Sequence, residues 1–155
     1  MTFLEKELEQ IIYEADFEAL EERDLTVFGK RMRQLRIGNY GIADIVTFER
    51  GTISPFDTAL TITVYELKQN KIDLNSLSQA IRYCKGIARY IHYWRNKEIN
   101  IRFNIVLIGK EIAGGDFIYF PDFVRDLKLL TYTYGIDGIK FKNHKEYFLT
   151  NEGFK

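Results

Sequence analysis

The chain is poor in the residues that staple folds or build metal centres. It has one cysteine, Cys84, and two histidines, His92 and His144. A single cysteine excludes an intrachain disulfide framework and a cysteine-built zinc site. Two histidines leave little for a histidine metal centre or a Cys–His dyad of ordinary spacing. No apolar run approaches the roughly 20 residues that a membrane span needs, and no membrane partner is expected. The first residues, Met1-Thr2-Phe3-Leu4-Glu5, are acidic and helical in pattern rather than signal-like, so the expected compartment is the cytoplasm. Net charge is also missing: 22 basic and 22 acidic side chains cancel. That balance counts against strong non-specific nucleic-acid binding, which rests on neutralising phosphates. There is no internal repeat and no low-complexity segment.

What is present suits one folded domain spanning residues 1–155. Hydrophobic residues make up 46% of the chain, with 12 Phe and 10 Tyr, which argues against disorder. The charge is unevenly distributed. Acids crowd the first 24 residues, and bases crowd Lys30 to Arg36 and Arg82 to Lys97. A bipolar surface of this kind can still hold a polyanion on one side.

Leu4, Leu8, Ile11, Ile12 and Ala15 recur at helical spacing and predict an amphipathic helix over 3–14. Phe17 to Glu22 is a further helical turn, and Leu25–Phe28 and Arg31–Arg36 read as strands. In the second strand Arg31, Arg33 and Leu35 are expected on one face, with Met32, Gln34 and Arg36 on the other. A turn at Gly38–Gly41 leads into a strand through Phe48, followed by a loop over 50–57 and a strand from Thr58 to Leu67. Asn70–Asn75 reads as a connector and Ser76–Arg95 as a helix. That helix is expected to bury Leu77, Ala80, Ile81, Cys84, Ile87, Ala88 and Ile91. Ile101–Ile108 is a continuous apolar strand suited to a central position. Asp116–Phe120 reads as extended, Pro121–Leu127 as a helix opened by its proline, and Leu129–Tyr134 and Ile139–Lys142 as strands.

The chain is organised around Val64-Tyr65-Glu66-Leu67-Lys68. Strand alternation puts Glu66 and Lys68 on one side and Tyr65 and Leu67 on the other. The plain reading is an ion pair on a solvated sheet face, which would contribute little. Asp44 weighs against that reading. It stands inside the apolar run Ile42-Ala43-Asp44-Ile45-Val46, where strand propensity and burial both disfavour a carboxylate. A bound cation is one partner that repays its desolvation.

The order is a helix with glutamates, two strands (the second with Asp44), a strand ending Glu66-Leu67-Lys68, a helix with Gln79, and another strand. It resembles the PD-(D/E)xK nuclease superfamily, in the branch of RecB-type and archaeal mismatch endonucleases. The matching text is Glu5-Lys6-Glu7-Leu8-Glu9, Arg33-Gln34-Leu35-Arg36, Gly41-Ile42-Ala43-Asp44-Ile45, Val64-Tyr65-Glu66-Leu67-Lys68 and Gln79-Ala80-Ile81-Arg82-Tyr83, with Leu130–Gly135 near the end. The likeness covers nearly the whole chain. Two departures stand out: Ala43 occupies the place of the name-giving proline, and the gap from Asp44 to Glu66 is long.

The resemblance implies an α/β fold with a restriction-endonuclease-like αβββαβ core, its central mixed sheet flanked by helices. It implies a magnesium- or manganese-dependent nuclease, with DNA the expected polymer and an endonuclease favoured over an exonuclease. Asp44, Glu66 and the Leu67 carbonyl would ligate the ion, an oxygen-rich set that suits a hard cation. Lys68 would orient or deprotonate the attacking water, and Gln79 would support the site. Glu5 or Glu9 would complete it from the first helix. Arg33, Arg36, Arg82, Tyr83 and Lys85 are the expected nucleic-acid contacts. Cutting both strands would call for a homodimer. Two other readings compete: an inactive module that keeps the fold to bind nucleic acid or a protein, and a structural or inhibitor protein in which Glu66 and Lys68 merely pair.

Overall fold

A computed structural model describes residues 3–54, 57–94, 100–119 and 124–144. The amphipathic helix forms as α1 (Phe3–Glu14), with Leu8 and Ile12 buried on its inner face. A second short helix, α2 (Phe17–Glu21), starts at Asp16, whose carboxylate accepts from the Ala19 amide at 2.8 Å. That bond satisfies one of the donors a helix start leaves open. Residues 25–28 form no strand. Leu25 and Val27 are buried there by packing alone, so the apolar alternation reflected a one-sided burial and not a ladder.

Strands β1 (Lys30–Arg36), β2 (Ile42–Ser54) and β3 (Asp57–Leu67) make an antiparallel meander. Of the loop expected over 50–57, residues 50–54 and 57 instead continue the β2–β3 pairing, and 55–56 lie outside the described residues. Arg50 pairs with Leu60 and Gly51 with Ala59, and the register shifts only between Thr52 and Ser54. Turn-type residues at 51 and 55 had suggested a break earlier than the pairing allows. The connector at 70–75 contains a short strand, β4 (Lys71–Ile72), before helix α3 (Leu74–Trp94). Beyond α3 come β5 (Asn100–Gly109) and β6 (Glu111–Ile112). A 3-10 turn at Asp116–Tyr119 then buries Phe117, where an extended piece was expected. The helix expected at 121–127 falls partly on 121–123, outside the described residues. Its remainder is a bend and turn in which Asp126 takes a φ of 68°, and Leu127 already opens β7. A left-handed residue cannot continue a right-handed helix.

With β7 (Leu127–Gly135) and β8 (Gly138–Asn143) the main sheet has six strands in the order β1-β2-β3-β5-β7-β8. Its centre, β3-β5-β7, is parallel and both flanks are antiparallel, so the sheet is mixed. The parallel β3–β5 pair needs a long connection, which α3 supplies. Both faces are covered. One carries α3 over Ile62, Val64, Leu107 and Leu129. The other carries α1 and α2 over Tyr65, Leu67, Ile108 and Leu130. Among the described residues no helix is long and apolar enough to cross a membrane.

The buried stripe of α3 is rotated from the one expected. Tyr83 and Gly86 are buried, whereas Ile81 is half exposed. The cause is the close approach of Gly86 to the turn at Gly38–Tyr40. A Cβ on Gly86 would lie 2.6 Å from Ile37 Cγ2 and 2.7 Å from Tyr40 Cγ. Gly86→Ala should therefore destabilise the protein by about 1–3 kcal/mol, the usual cost of overpacking. The helix-propensity gain of about 1 kcal/mol acts in the opposite direction. Urea denaturation checks this, and a stabilised variant would show that the contact is soft.

Candidate active site

The chemistry-bearing residues meet where β2 and β3 separate. Their ladder runs as far as Ile45↔Tyr65 and stops. One step further an antiparallel ladder would pair Asp44 with Glu66. Instead the Asp44 Oδ2 accepts the Leu67 amide at 2.9 Å, so a side chain takes the place of a ladder carbonyl. The pleat also inverts at this level. Ile45 packs under α1 while Ala43 packs under α3, although residues two apart in a strand normally share a face. The neighbouring strand inverts in step. Arg33 lies over the Tyr13 ring of α1 at 4.8 Å, but Leu35 packs on the α3 side. Between them Gln34 has a φ of 49°. This left-handed residue breaks the alternation expected for Arg31, Arg33 and Leu35. It turns the Gln34 amide to Glu9, donating at 2.8 Å.

Glu66 is 4% exposed and lies on the α3 face with Val64. Its Oε1 is 3.1 Å from the Lys68 ammonium, while Oε2 is buried with no hydrogen-bond partner. Lys68 also donates to Gln79 Oε1 of α3 at 2.8 Å. Glu66, Lys68 and Gln79 thus form one connected row. The α1 glutamates arrive from the opposite side. Glu5 Oε1 accepts the Gln69 amide at 3.1 Å, and the Tyr132 hydroxyl donates to the Gln69 carbonyl at 2.9 Å. Gln69, next to Lys68, is therefore held at both its amide and its carbonyl. Of the two first-helix candidates, Glu5 is felt electrostatically by Asp44, Glu66 and Lys68, and Glu9 by Asp44.

The electrostatics are those of acids crowded in a half-dry place. Burial, with Glu5 and Glu9 adding repulsion against the Leu67 hydrogen bond, pushes Asp44 up to about 6. Burial and then the Asp44 charge push Glu66 up to about 7. Lys68 loses something to burial but is raised on balance by Glu66, Asp44 and Glu5. Among the described residues no three His, Cys, Asp or Glu side chains gather into a group that would hold a metal unaided. The donor set still fits a hard divalent ion, which commonly takes one or two carboxylates plus carbonyls and waters. The Glu66 Oε2 is buried without a hydrogen-bond partner, and burial raises both carboxylates, with the Asp44 charge adding to the rise at Glu66 and Lys68 offsetting only part of it.

The remaining residues divide into two groups. Tyr83 packs on Gly41 and feels both Glu66 and Asp44, with the exposed Arg82 guanidinium 5.7 Å from its ring centre. Both belong beside the site. Arg36 and Lys85 instead line a groove on the α3 side, and Arg33 lies on the α1 side. Three contributors went unread in the sequence. Gln34 and Tyr132 carry no local signal. Asp73 did: its carboxylate accepts the Ser76 amide at 2.9 Å and starts α3, an Asp-x-x-Ser capping pattern visible in the text. That bond, with the Ser76 hydroxyl, holds Asp73 below the usual carboxylate range. Neither family models nor curated proteins nor solved structures match this chain.

Proposed function

We propose that the protein is a divalent-metal-dependent nuclease that hydrolyses phosphodiester bonds, with DNA as the polymer, on a restriction-endonuclease-like core. The observation that carries this is Glu66: its Oε1 meets Lys68, and through it Gln79, while its Oε2 is buried without a hydrogen-bond partner and the Asp44 carboxylate repels its charge. A bare surface ion pair would be solvated and would leave no orphaned oxygen. Asp44, Glu66 and the Leu67 carbonyl would hold Mg²⁺ or Mn²⁺. When bound, the ion would supply charge stabilisation on the scissile phosphate and make a water at the site more acidic.

The chain's own residues do the rest. Lys68 presents an ammonium to the phosphate and to the incoming water, and Gln79 and Glu66 fix its direction. Glu5 and Tyr132 hold the backbone amide and carbonyl of Gln69, next to Lys68. Water oxygen bonds to phosphorus, the ester P–O bond breaks, and one proton passes to the departing oxygen. The exposed Arg82, beside the buried Tyr83, would contact a neighbouring phosphate.

The test is a cleavage screen over supercoiled, single-stranded and branched DNA and over RNA, with Mg²⁺ or Mn²⁺. Wild type should cut at least one DNA substrate, and Asp44→Ala should not. The ion should also raise the melting temperature of wild type but not of Asp44→Ala. Equal melting gains in both proteins, with no cutting by either, would discard the proposal.

A further inference from the structure

A groove of about 1950 Å³ runs between the C-terminal half of α3 and the β1–β2 side of the sheet. Five cations line it: Lys30, Arg36, Arg50, Lys85 and Arg89. Among the described residues that line it there is no aspartate or glutamate. In a chain whose charges cancel overall, that segregation is a field with one sign. The floor is apolar and aromatic. The Tyr40 ring packs where Gly86 leaves room, and its hydroxyl accepts from Arg89 at 2.6 Å. Above it Tyr90 and Tyr93 are 55% and 76% exposed.

The groove is continuous with the candidate active site along one helix. Gln79, Tyr83, Gly86, Tyr90 and Tyr93 follow at steps of three and four, a single face of α3. The row Arg82, Lys85, Arg89 runs beside it at the same steps. About 21 Å of helix axis separates Gln79 from Tyr93.

We infer that this groove is a binding track for single-stranded nucleic acid, leading to the Glu66–Lys68 end of the sheet. It rests on the nuclease reading for its purpose, and it names the form of polymer that site would receive. Cations follow a phosphate backbone, and exposed rings stack on bases. A duplex keeps its bases paired and offers phosphates alone to a surface of this kind. A second copy of the chain is disfavoured as occupant, because a two-fold interface would set this cationic lining against itself. An acidic peptide would meet the cations but make no use of the exposed aromatic surface.

The test is fluorescence anisotropy of the full chain with a short labelled oligothymidylate, and with a duplex of equal length, in EDTA. Chelation keeps binding separate from cleavage. The single strand should bind more tightly than the duplex. Tyr93→Ala and Tyr90→Ala should each weaken it by about fivefold or more, the loss of one stacked base. Lys85→Ala should reduce the slope of log affinity against log salt by about 0.7, one phosphate contact on a single strand. All three side chains are exposed, and circular dichroism confirms the folded state of each variant. Equal affinity for duplex with no tyrosine effect, displacement by an oligoglutamate peptide as effective as by the oligonucleotide, or no binding would each overturn the track. Binding as described without cleavage when Mg²⁺ or Mn²⁺ is restored would keep the track and remove the nuclease. Cleavage indifferent to Tyr90 and Tyr93 would do the reverse.

Discussion

Lys68→Ala should lower phosphodiester cleavage by at least about a hundredfold while the protein stays folded, as removal of one preorganised charge-stabilising group typically does. The fold should survive because Lys68 is partly exposed and lies at the end of β3, outside both hydrophobic clusters. Its removal leaves Glu66 without its ammonium partner, and the carboxyl can relieve that by taking up a proton, since it already sits at about 7. Glu66→Gln should have the same effect on cleavage by a different route. It keeps the shape but removes a negative ligand, so activity should not return even at high Mn²⁺. The measurements are single-turnover rates on the preferred substrate beside a urea melt. Undiminished cutting by either variant would mean the Glu66–Lys68 pair is structural.

The second large effect is on stability as a function of pH, and its sign separates a metal site from an ion pair. Asp44 and Glu66 have folded pKa values raised above their ordinary ones. A raised carboxylate favours the folded state while protonated, and that contribution is lost as pH rises through the folded value. Without divalent ion the protein should therefore lose stability between about pH 4.5 and 7, by roughly 3 kcal/mol for Glu66 alone. A surface ion pair would give the opposite trend, because its carboxylate would be depressed. Adding Mg²⁺ should reverse the loss, since an ion binds the deprotonated pair. The melting gain it produces should be small at pH 5 and large at pH 8. Asp44→Asn should flatten the ion-free slope and abolish the gain. A stability that rises steadily from pH 5 to 8 in EDTA would contradict the electrostatics described for this pair.

Much of this was legible before any coordinates. The 3.6-residue spacing in α1 and α3 and the apolar run of β5 needed no neighbours to be read, because burying a stripe or a whole strand leaves a periodic mark. Glu66, Lys68 and Gln79 were singled out by type and order, and the structure brings Glu66 and Gln79 each into contact with Lys68. Other features misled. Leu25–Phe28 alternates like a strand but pairs with nothing, Gly51 and Pro55 look like a loop in a long hairpin, and Pro121 looks like a helix start before what becomes β7. In each case turn or strand chemistry was locally sound, and tertiary packing at Leu25–Phe28 or strand pairing at the other two overrode it.

The sequence by itself determined the two long helices, the apolar central strand and the prominence of Asp44, Glu66 and Lys68, because these follow from local periodicity, strand alternation and the cost of a carboxylate among apolar neighbours. Gln79 was reached only through the resemblance to the nuclease superfamily. Only the tertiary structure decided how those residues meet. A left-handed Gln34 and the inverted pleat beside it let Asp44 reach the Leu67 amide. The Gly86 contact rotates α3 so that Tyr83 faces inward, and the same helix carries the cationic groove away from the site. Backbone inversions and helix rotations are settled by contacts between residues far apart in the chain, and such contacts leave no period to read.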